Sequence, residues 1–354
     1  MSTVTAHATT GRERTPLAAR RRAPLAMVAR VVCGFACAGC AGTPKLALDT
    51  TVVGGSEVRW LAGDSLLAVA LLGRGVAIVD AATGGERAAW RLPTLPSHAA
   101  HGLATSAGGE TLAFATDDSV HVVRARDGVE TMAVPGGGVA LALSGDGHLL
   151  AWGDGMYGRV LDAGTGRVLG QGEMHAGRNG LAWSAARGGF AWIDGRRVFF
   201  VDPHRVPGPR ADSSHADSTI GGVTGDLGPF LEAAPTQLAF SGSGRTLAVA
   251  ESTSFVSYWD TRERRRLWRL ELPGSEQFDR MALSADTWYL ATAREGRARI
   301  RWSYTGRKLA DWSPHEGSMV RDLAFSNDGR RLATVGADGH VRVWLVPPPR
   351  RERR

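Results

Sequence analysis

One pattern of three strands and two turns recurs along this chain at a period of about 40 residues. The clearest copy, Leu323 to Trp344, consists of a strand, an Asn-Asp-Gly turn, a strand, an Ala-Asp-Gly turn and a third strand. Apolar residues alternate through Val341 and Val343, which is the period of two that a half-buried strand requires. A unit this short cannot bury its own apolar faces, so neighbouring units must stack. The pattern therefore predicts an all-β chain of stacked sheets.

Six further copies precede the clearest one. The first, Val58 to Ala70, is degenerate, whereas the other copies share a serine at the end of the first strand. These serines are Ser106, Ser144, Ser184, Ser241, Ser284 and Ser326. They are separated by 38, 40, 57, 43 and 42 residues, and the long interval coincides with residues 203–234, which are rich in Pro, Gly, Ser and Asp. We predict a loop insertion there, between two repeat units.

Seven stacked sheets predict a closed ring, because closure leaves only short strand edges exposed. The last unit needs a fourth strand, yet only Leu345-Val346 follow Trp344 before Pro347-Pro348-Pro349, and proline has no N–H to donate to a ladder. The segment Leu46 to Val53 is strand-like and precedes the first unit. We therefore predict an all-β, seven-bladed β-propeller over residues 46–346, in which this N-terminal strand completes the last blade.

The repeat resembles the WD-repeat β-propeller family, through Trp259-Asp260, Trp344 and the last three copies as a whole. The resemblance implies a structural hydrogen-bonded tetrad in the last blade, comprising His315, Thr334, Asp338 and Trp344. Other copies lack the histidine, and most lack the Trp-Asp pair, so they are divergent repeats. A flat, rigid ring with variable loops suits a non-catalytic scaffold, so we expect a monomeric propeller that binds a protein or peptide on one face.

A weaker resemblance connects two turns, Asp80 to Gly84 and Asp162 to Gly166, to quinoprotein-like propellers. Quinone-cofactor dehydrogenases of that type carry a vicinal cysteine pair, and residues 41–354 contain no cysteine. We therefore expect no cofactor. The alternative reading is a quinoprotein-like or hydrolase-type propeller that binds a ligand or a metal at its central channel.

Candidate metal ligands and catalytic residues are scattered. Asp212, His215 and Asp217 could coordinate a divalent cation, but they lie in the predicted loop 203–234, which offers no preorganised geometry. The histidines that precede first strands are His98, His101 and His175. Histidines at such positions of propellers are more often structural than catalytic. We predict no enzymatic activity, no catalytic residue and no metal site.

The N-terminal segment has the order of an export signal: the basic stretch Arg20-Arg21-Arg22, an apolar run from Val31 to Ala38, and then small residues. Its end, Cys37-Ala38-Gly39-Cys40, resembles a bacterial lipobox. The resemblance implies that residues 1–39 are a leader, that Cys40 carries lipid, and that residues 40–45 are a tether. We expect a lipid-anchored protein of a bacterial cell envelope, and the alternative is a cytoplasmic protein with a disordered leader.

The net charge of +7 lies in the two ends of the chain. Residues 1–39 contain six arginines and one glutamate, and residues 350–354, within the Pro/Arg tail 347–354, contain four arginines and one glutamate. Residues 40–349 therefore carry a net charge of −1. A protein that neutralises phosphates needs its positive charge on the folded surface, so we predict no nucleic-acid binding.

Overall fold

Short antiparallel strands account for nearly all of the regular structure. The computed structural model describes residues 29–30, 43–61, 63–72, 75–91, 101–138, 140–154, 157–173, 180–204, 223–227 and 231–348. Within these residues seven antiparallel sheets form a ring, and the first strand of each sheet contacts the first strands of its two neighbours. The predicted seven-bladed β-propeller is confirmed.

The first four blades each consist of four consecutive strands. Two strands lie ahead of them, β1 (Ala29–Arg30) and β2 (Lys45–Thr51). Blade 1 comprises β3 (Gly55–Leu61), β4 (Leu66–Leu71), β5 (Gly75–Asp80) and β6 (Glu86–Arg91). Blade 2 comprises β7 (His101–Thr105), β8 (Thr111–Ala115), β9 (Ser119–Arg124) and β10 (Val129–Pro135). Blade 3 comprises β11 (Ala140–Leu143), β12 (Leu149–Gly153), β13 (Tyr157–Asp162) and β14 (Val168–Glu173). Blade 4 comprises β15 (Leu181–Ser184), β16 (Gly189–Asp194), β17 (Arg197–Val201) and β18 (Val223–Asp226).

The remaining blades follow the same order, except that the last one borrows β2. Blade 5 comprises β19 (Pro235–Phe240), β20 (Thr246–Glu251), β21 (Phe255–Asp260) and β22 (Arg265–Glu271). Blade 6 follows a 3-10 turn (Gly274–Glu276) and comprises β23 (Arg280–Leu283), β24 (Tyr289–Arg294), β25 (Arg297–Trp302) and β26 (Lys308–Trp312). Blade 7 comprises β27 (Val320–Phe325), β28 (Arg331–Gly336), β29 (His340–Leu345) and β2.

The recurring serine closes the turn between the first and second strands of a blade. In five blades its hydroxyl oxygen accepts a hydrogen bond of 2.9–3.1 Å from the backbone N–H five residues later. Four of these turns place glycine where φ is positive, at Gly109, Gly147, Gly244 and Gly329. Glycine adopts that conformation without the steric cost that a Cβ imposes. The repeated serine and glycine are therefore turn residues.

The ring is closed by the predicted N-terminal strand. β2 pairs antiparallel with β29, from Lys45 opposite Leu345 to Thr51 opposite His340. The two residues of β1 add to the outer edge of β2. The apolar core lies between blades rather than within one: Leu48 of β2 shares a buried cluster with residues of blade 1 and blade 7. An N-terminal strand thus holds the last blade in place.

The insertion at residues 203–234 lies elsewhere than the sequence predicted. Val223–Asp226 form β18, the fourth strand of blade 4, so the added residues separate the third and fourth strands of that blade rather than two blades. The sequence Val-Thr-Gly-Asp has no apolar alternation, so its pattern does not predict a strand. Among the described residues, no helix is long and apolar enough to cross a membrane.

We predict that Leu48→Ala lowers the free energy of unfolding by about 2–4 kcal/mol, because it leaves a cavity where the ring closes. Lys45→Ala is the matched control, since Lys45 is exposed on the same strand, and it should change stability by less than about 0.5 kcal/mol. Urea denaturation of both variants measures the difference. Equal effects would show that the N-terminal strand does not hold the ring closed.

Candidate functional site

A central channel runs along the ring axis and is a candidate ligand site. Its cavity volume is about 310 Å³, and residues of the first strands of all seven blades line it. Most of the lining side chains are apolar, and charged and amide side chains come from blades 1, 5 and 7 near the mouth at which the first strands begin: Glu57, Arg59, Gln237 and Asp322. These four side chains decide what the channel can bind.

Asp322 and Arg59 join blade 7 to blade 1. One carboxylate oxygen of Asp322 accepts hydrogen bonds from the Val58 backbone N–H at 3.0 Å and from Arg59 Nη1 at 2.7 Å. Asp322 is buried, so its charge needs these partners to offset desolvation. Nearby, Trp60 Nε1 donates to the Ala324 carbonyl oxygen at 2.9 Å. These bonds hold the seam where the ring closes.

Glu57 and Gln237 bridge other blades in the same manner. The two carboxylate oxygens of Glu57 accept from the backbone N–H groups of Gly102 and Leu103, at 3.0 and 2.9 Å. Gln237 donates to the Asp279 carbonyl oxygen at 2.7 Å and accepts from the Met281 N–H at 2.9 Å. The polar atoms at the mouth therefore bind the backbone of the next blade. Their positions make them structural bridges between inner strands.

These hydrogen bonds are relevant to the alternative prediction, in which the central channel binds a ligand or a metal. Within the described ranges, no group of three or more His, Cys, Asp or Glu side chains is placed to hold a metal ion. The two carboxylates at the mouth, Glu57 and Asp322, are held by backbone N–H groups of different blades. Among the described residues, the mouth is a mixed polar and apolar surface, and its two carboxylates face Arg59: Nη1 is 2.7 Å from Asp322 and Nη2 is 3.9 Å from Glu57.

The four residues of the tetrad lie together in blade 7. His315 Nε2 is 3.0 Å from Thr334 Oγ1, and Trp344 Nε1 donates to that hydroxyl at 3.0 Å. His315 Nδ1 is 3.0 Å from Asp338 Oδ1, and the imidazole is fully buried. A Cβ at Gly336 would overlap the imidazole ring, so glycine there makes room for the histidine. The tetrad connects three segments of the blade.

His315 has partners at both ring nitrogens. In one assignment of protons, Thr334 accepts from Trp344 and donates its hydroxyl proton to His315 Nε2, and Nδ1–H donates to Asp338. Arg342 Nη1 also lies 2.7 Å from Nδ1. Burial lowers the pKa of His315 to about 4, and Arg342 acts in the same direction, whereas Asp338 opposes it. Arg342 Nη1 also donates to Asp338, at 2.6 Å. The ring is therefore neutral at pH 7.

Blades 5 and 6 replace the tetrad with other contacts. In blade 6, Arg301 stands opposite Leu290 in the register, as Trp344 stands opposite Leu332 in blade 7, and Arg301 forms a buried ion pair with Glu276. Thr292, at the position equivalent to the tetrad threonine, has no hydrogen-bond partner for its buried hydroxyl. In blade 5, Trp259 donates to Ser257 at 2.8 Å.

The turns that resembled quinoprotein-like propellers are capped by aspartate. Asp80 Oδ1 accepts from the N–H groups of Ala82 and Thr83, and Asp162 Oδ1 accepts from those of Gly164 and Thr165. Asp260 of the Trp-Asp pair caps its turn in the same way. Such side chains stabilise a chain reversal without any cofactor.

The ring has two faces, which differ in their exposed residues. We define the upper face by the turns between second and third strands and by the connections between blades, and the lower face by the first-to-second and third-to-fourth turns. On the upper face, Met319, Val53 and Leu72 are 54%, 49% and 43% exposed. On the lower face, Trp288 and Tyr304 are 51% and 54% exposed.

The upper-face residues lie on connections that backbone hydrogen bonds join to one another, and we name Met319, Val53 and Leu72 the apolar strip. The Ala337 N–H donates to the Met319 carbonyl oxygen at 2.8 Å, and Ala337 belongs to the same turn as Gly339. The Gly339 carbonyl oxygen accepts from the Val52 N–H at 2.7 Å, and the Leu72 N–H donates to the Gly54 carbonyl oxygen at 2.8 Å. The strip thus crosses the seam between blades 7 and 1.

Several residues considered in the sequence lie outside the described residues. They are Cys40, His98, His175, Asp212, His215 and Asp217. His101 opens β7 at the start of blade 2.

Sequence reasoning missed Glu57, Arg59, Gln237 and Asp322. A signal existed: three of these four residues, Glu57, Gln237 and Asp322, directly precede an apolar residue near the start of a first strand, at matching positions of their repeats. Those positions hold small residues in blades 2 to 4, at Gly102, Ala140 and Gly180. These polar residues are therefore indicated by how the copies differ at one position, and not by the pattern that the copies share.

Comparisons with known proteins agree with this architecture. Residues 306–344 match the family model described as WD domain, G-beta repeat. A comparison with curated proteins gave no match. Among solved structures, the chain is similar to the β-propeller domain of Cps50 (Swd1) from Myceliophteria thermophila, with 14% identity and a TM-score of 0.68, over 86% of this chain and 100% of that one. The predicted WD-repeat resemblance and the propeller fold are confirmed.

We predict that stability falls as pH decreases from about 6.5 to about 4, because in this window the unfolded chain binds a proton at His315 that the folded chain excludes. The effect is on the order of 2–3 kcal/mol. Thermal unfolding across this range should show a shallower pH dependence for His315→Gln than for the wild type. His148→Gln, at an exposed position, should keep the wild-type slope. Parallel curves for wild type and His315→Gln would contradict the buried neutral ring.

We predict that Asp322→Ala lowers the free energy of unfolding by about 2–4 kcal/mol, because it leaves the Val58 N–H and the Arg59 guanidinium without their acceptor. Asp322→Asn keeps one acceptor oxygen and should cost less. Denaturant titration of both variants tests the bridge. If the two substitutions are equally harmless, the seam does not depend on this carboxylate.

Proposed function

We propose that this chain, a seven-bladed β-propeller whose residues 306–344 match the WD domain, G-beta repeat, is a non-catalytic protein-interaction scaffold. The observation that carries the proposal is the apolar strip on the upper face. Three large apolar side chains, each more than two-fifths exposed, lie there on rigid turns tied by backbone hydrogen bonds. A group of large apolar side chains exposed on one face favours an interaction site.

Acidic side chains flank one end of the strip. Glu295 and Glu316 are exposed and both adopt positive φ, at 53° and 48°. Their following residues, Gly296 and Gly317, are so close that a Cβ on Gly296 would come within 2.7 Å of the Gly317 carbonyl oxygen. Left-handed backbone at non-glycine residues is costly and concentrates at functional positions. A partner segment that carries apolar and basic side chains complements this surface.

We further propose that Cys40 carries lipid and that the protein resides in a bacterial cell envelope. The support is the order of basic, apolar and small residues that ends in Cys37-Ala38-Gly39-Cys40. Five residues after Cys40 the chain begins β2, the strand that closes the ring. A mature chain that begins at Cys40 loses β1 and keeps the complete ladder between β2 and β29. A propeller tethered in this way is a monomeric scaffold at a membrane face.

The scaffold proposal predicts that the double variant Met319→Asp, Leu72→Asp weakens partner binding at least about tenfold, because charge replaces two of the three apolar side chains of the strip. Cross-linking in membranes of the native host, followed by mass spectrometry, measures the loss of specific partners. Val129→Asp is the control, since Val129 is 46% exposed on blade 2, away from the strip. Partners retained by the double variant, or lost equally in the control, would contradict the proposal.

The anchor proposal predicts that a radiolabelled fatty acid is incorporated into wild-type protein and not into Cys40→Ala. Cys33→Ala is the control and should be labelled like the wild type. Labelling that persists in Cys40→Ala, or that is absent from the wild type, would remove the lipid anchor from the proposal.

A further inference from the structure

The lower face carries a rigid aromatic surface on blade 6. Tyr304 stacks on Trp268 with ring centroids 4.4 Å apart, and Trp268 stacks on the buried Tyr258, also at 4.4 Å. Trp288 meets Trp302 edge to face at 5.5 Å. The two exposed rings, Trp288 and Tyr304, are thus each supported by a ring beneath. We call Trp288 and Tyr304 the aromatic pair.

A residue with a strained backbone, Thr287, connects the two members of the aromatic pair. Thr287 has φ of +67°, at the turn position that glycine occupies in four other blades. A β-branched residue in this conformation is an outlier. The hydroxyl of Thr287 lies 3.0 Å from the Tyr304 hydroxyl, so the strained residue connects the turn that bears Trp288 to the turn that bears Tyr304. This turn departs from its repeats in a way that presents aromatic side chains to solvent.

Positive charge lies beside the aromatic pair. Residues 262–266, which extend from the third-to-fourth turn of blade 5 into β22, contain four exposed arginines and Glu263. Arg265 pairs with Glu263 at 3.2 Å and Arg266 pairs with Glu232 at 3.0 Å. Trp268, which supports Tyr304, follows this segment by two residues. On the first-to-second turn of blade 5, Arg245 is exposed as well. Aromatic side chains next to a basic surface suit the boundary between water and an anionic bilayer, where Trp and Tyr sit at the headgroups and arginine meets lipid phosphates.

The position of the tether points the same face toward a membrane. Lys45 pairs with Leu345, at the lower end of blade 7, so the N-terminal segment reaches the ring from the lower face. Leu46 packs in the same cluster as Trp302, the ring beneath Trp288. Lys45 follows Cys40 by five residues, so even a fully extended chain places their Cα atoms no more than about 18 Å apart. Lipid on Cys40 would therefore hold the lower face close to the bilayer.

The C-terminal end leaves from the same side. The Tyr289 hydroxyl donates to the Pro347 carbonyl oxygen at 3.0 Å, and Tyr289 stacks on Trp302 at 5.2 Å. Residues 350–354, with four arginines and one glutamate, follow Pro347 closely in the sequence. Both ends of the propeller thus join the face that carries the aromatic pair.

We infer that the lower face docks on an anionic lipid surface through the aromatic pair and the arginines of residues 262–266. The inference rests on the proposed lipid anchor for its orientation and goes beyond it, because the contact is made by the folded ring. The ring then lies flat on the bilayer, and the apolar strip of the upper face points away from the membrane.

The test uses full-length protein with Cys40→Ser, so that no lipid anchor contributes. We expect it to sediment with phosphatidylglycerol vesicles at low salt and not with phosphatidylcholine vesicles. The double variant Trp288→Ser, Tyr304→Ser should bind at least about tenfold more weakly, and Arg262→Ser about fivefold more weakly. Trp288→Tyr keeps an interfacial aromatic ring and should retain most of the binding.

Matched controls come from the upper face. Met319→Ser removes an apolar side chain as exposed as Tyr304, and Arg196→Ser removes an exposed arginine from the second-to-third turn of blade 4. Both should bind vesicles like the parent protein. Equal losses in these controls, wild-type binding by the aromatic double variant, or no sedimentation with phosphatidylglycerol would overturn the inference. Binding of single-stranded oligothymidylate without vesicle binding would also overturn it. None of these results depends on lipidation, which fatty-acid labelling reports separately.

Discussion

Closure of the ring by β2 is the interaction on which the rest of this structure depends. The ladder between β2 and β29 joins the N-terminal strand to the last repeat without a covalent link. Asp49 of β2 accepts from Arg342 Nε at 3.1 Å, and Arg342 in turn donates to Asp338 of the tetrad. The ladder between β2 and β29 and the tetrad therefore stabilise one another. A central channel and two distinct faces exist only while the ring is closed, since an open array of sheets would expose a core that lies between blades.

Individual blades differ from the repeat pattern at positions where they make contacts that the other blades do not make. Blade 1 lacks the family pattern and instead supplies Arg59 and Asp64 to the seam with blade 7. Asp64 accepts from the backbone N–H groups of Asn327 and Asp328 at 2.8 and 3.0 Å. Blade 6 has lost the histidine and the tryptophan of the tetrad and keeps a buried threonine hydroxyl without a partner. A buried polar group without a partner is costly, and the altered blade is also the one that exposes the aromatic pair.

The asymmetry of the two faces gives the proposed scaffold a direction. The aromatic pair, the arginines of residues 262–266 and the start of β2 belong to the lower face, whereas the apolar strip and its flanking glutamates belong to the upper face. A tether only a few residues long restricts how far the ring can move from a bilayer. The face proposed to meet lipid and the face proposed to meet a partner would then lie on opposite sides of the ring.

The sequence by itself determined the seven blades and the N-terminal strand that completes the last one, and the family resemblance supplied the members of the tetrad. The blades and the closing strand depend on local chemistry: a serine that closes a turn, a glycine with positive φ, prolines that cannot extend a ladder. Tertiary structure alone decided which side chains meet across blades. Asp322 and Val58 are 264 positions apart, and Thr287 meets Tyr304 across two turns. β18 escaped sequence reasoning because its pairing with β17, not its composition, makes it a strand. No repeating sequence pattern predicts such contacts, because they depend on which blades become neighbours when the ring closes.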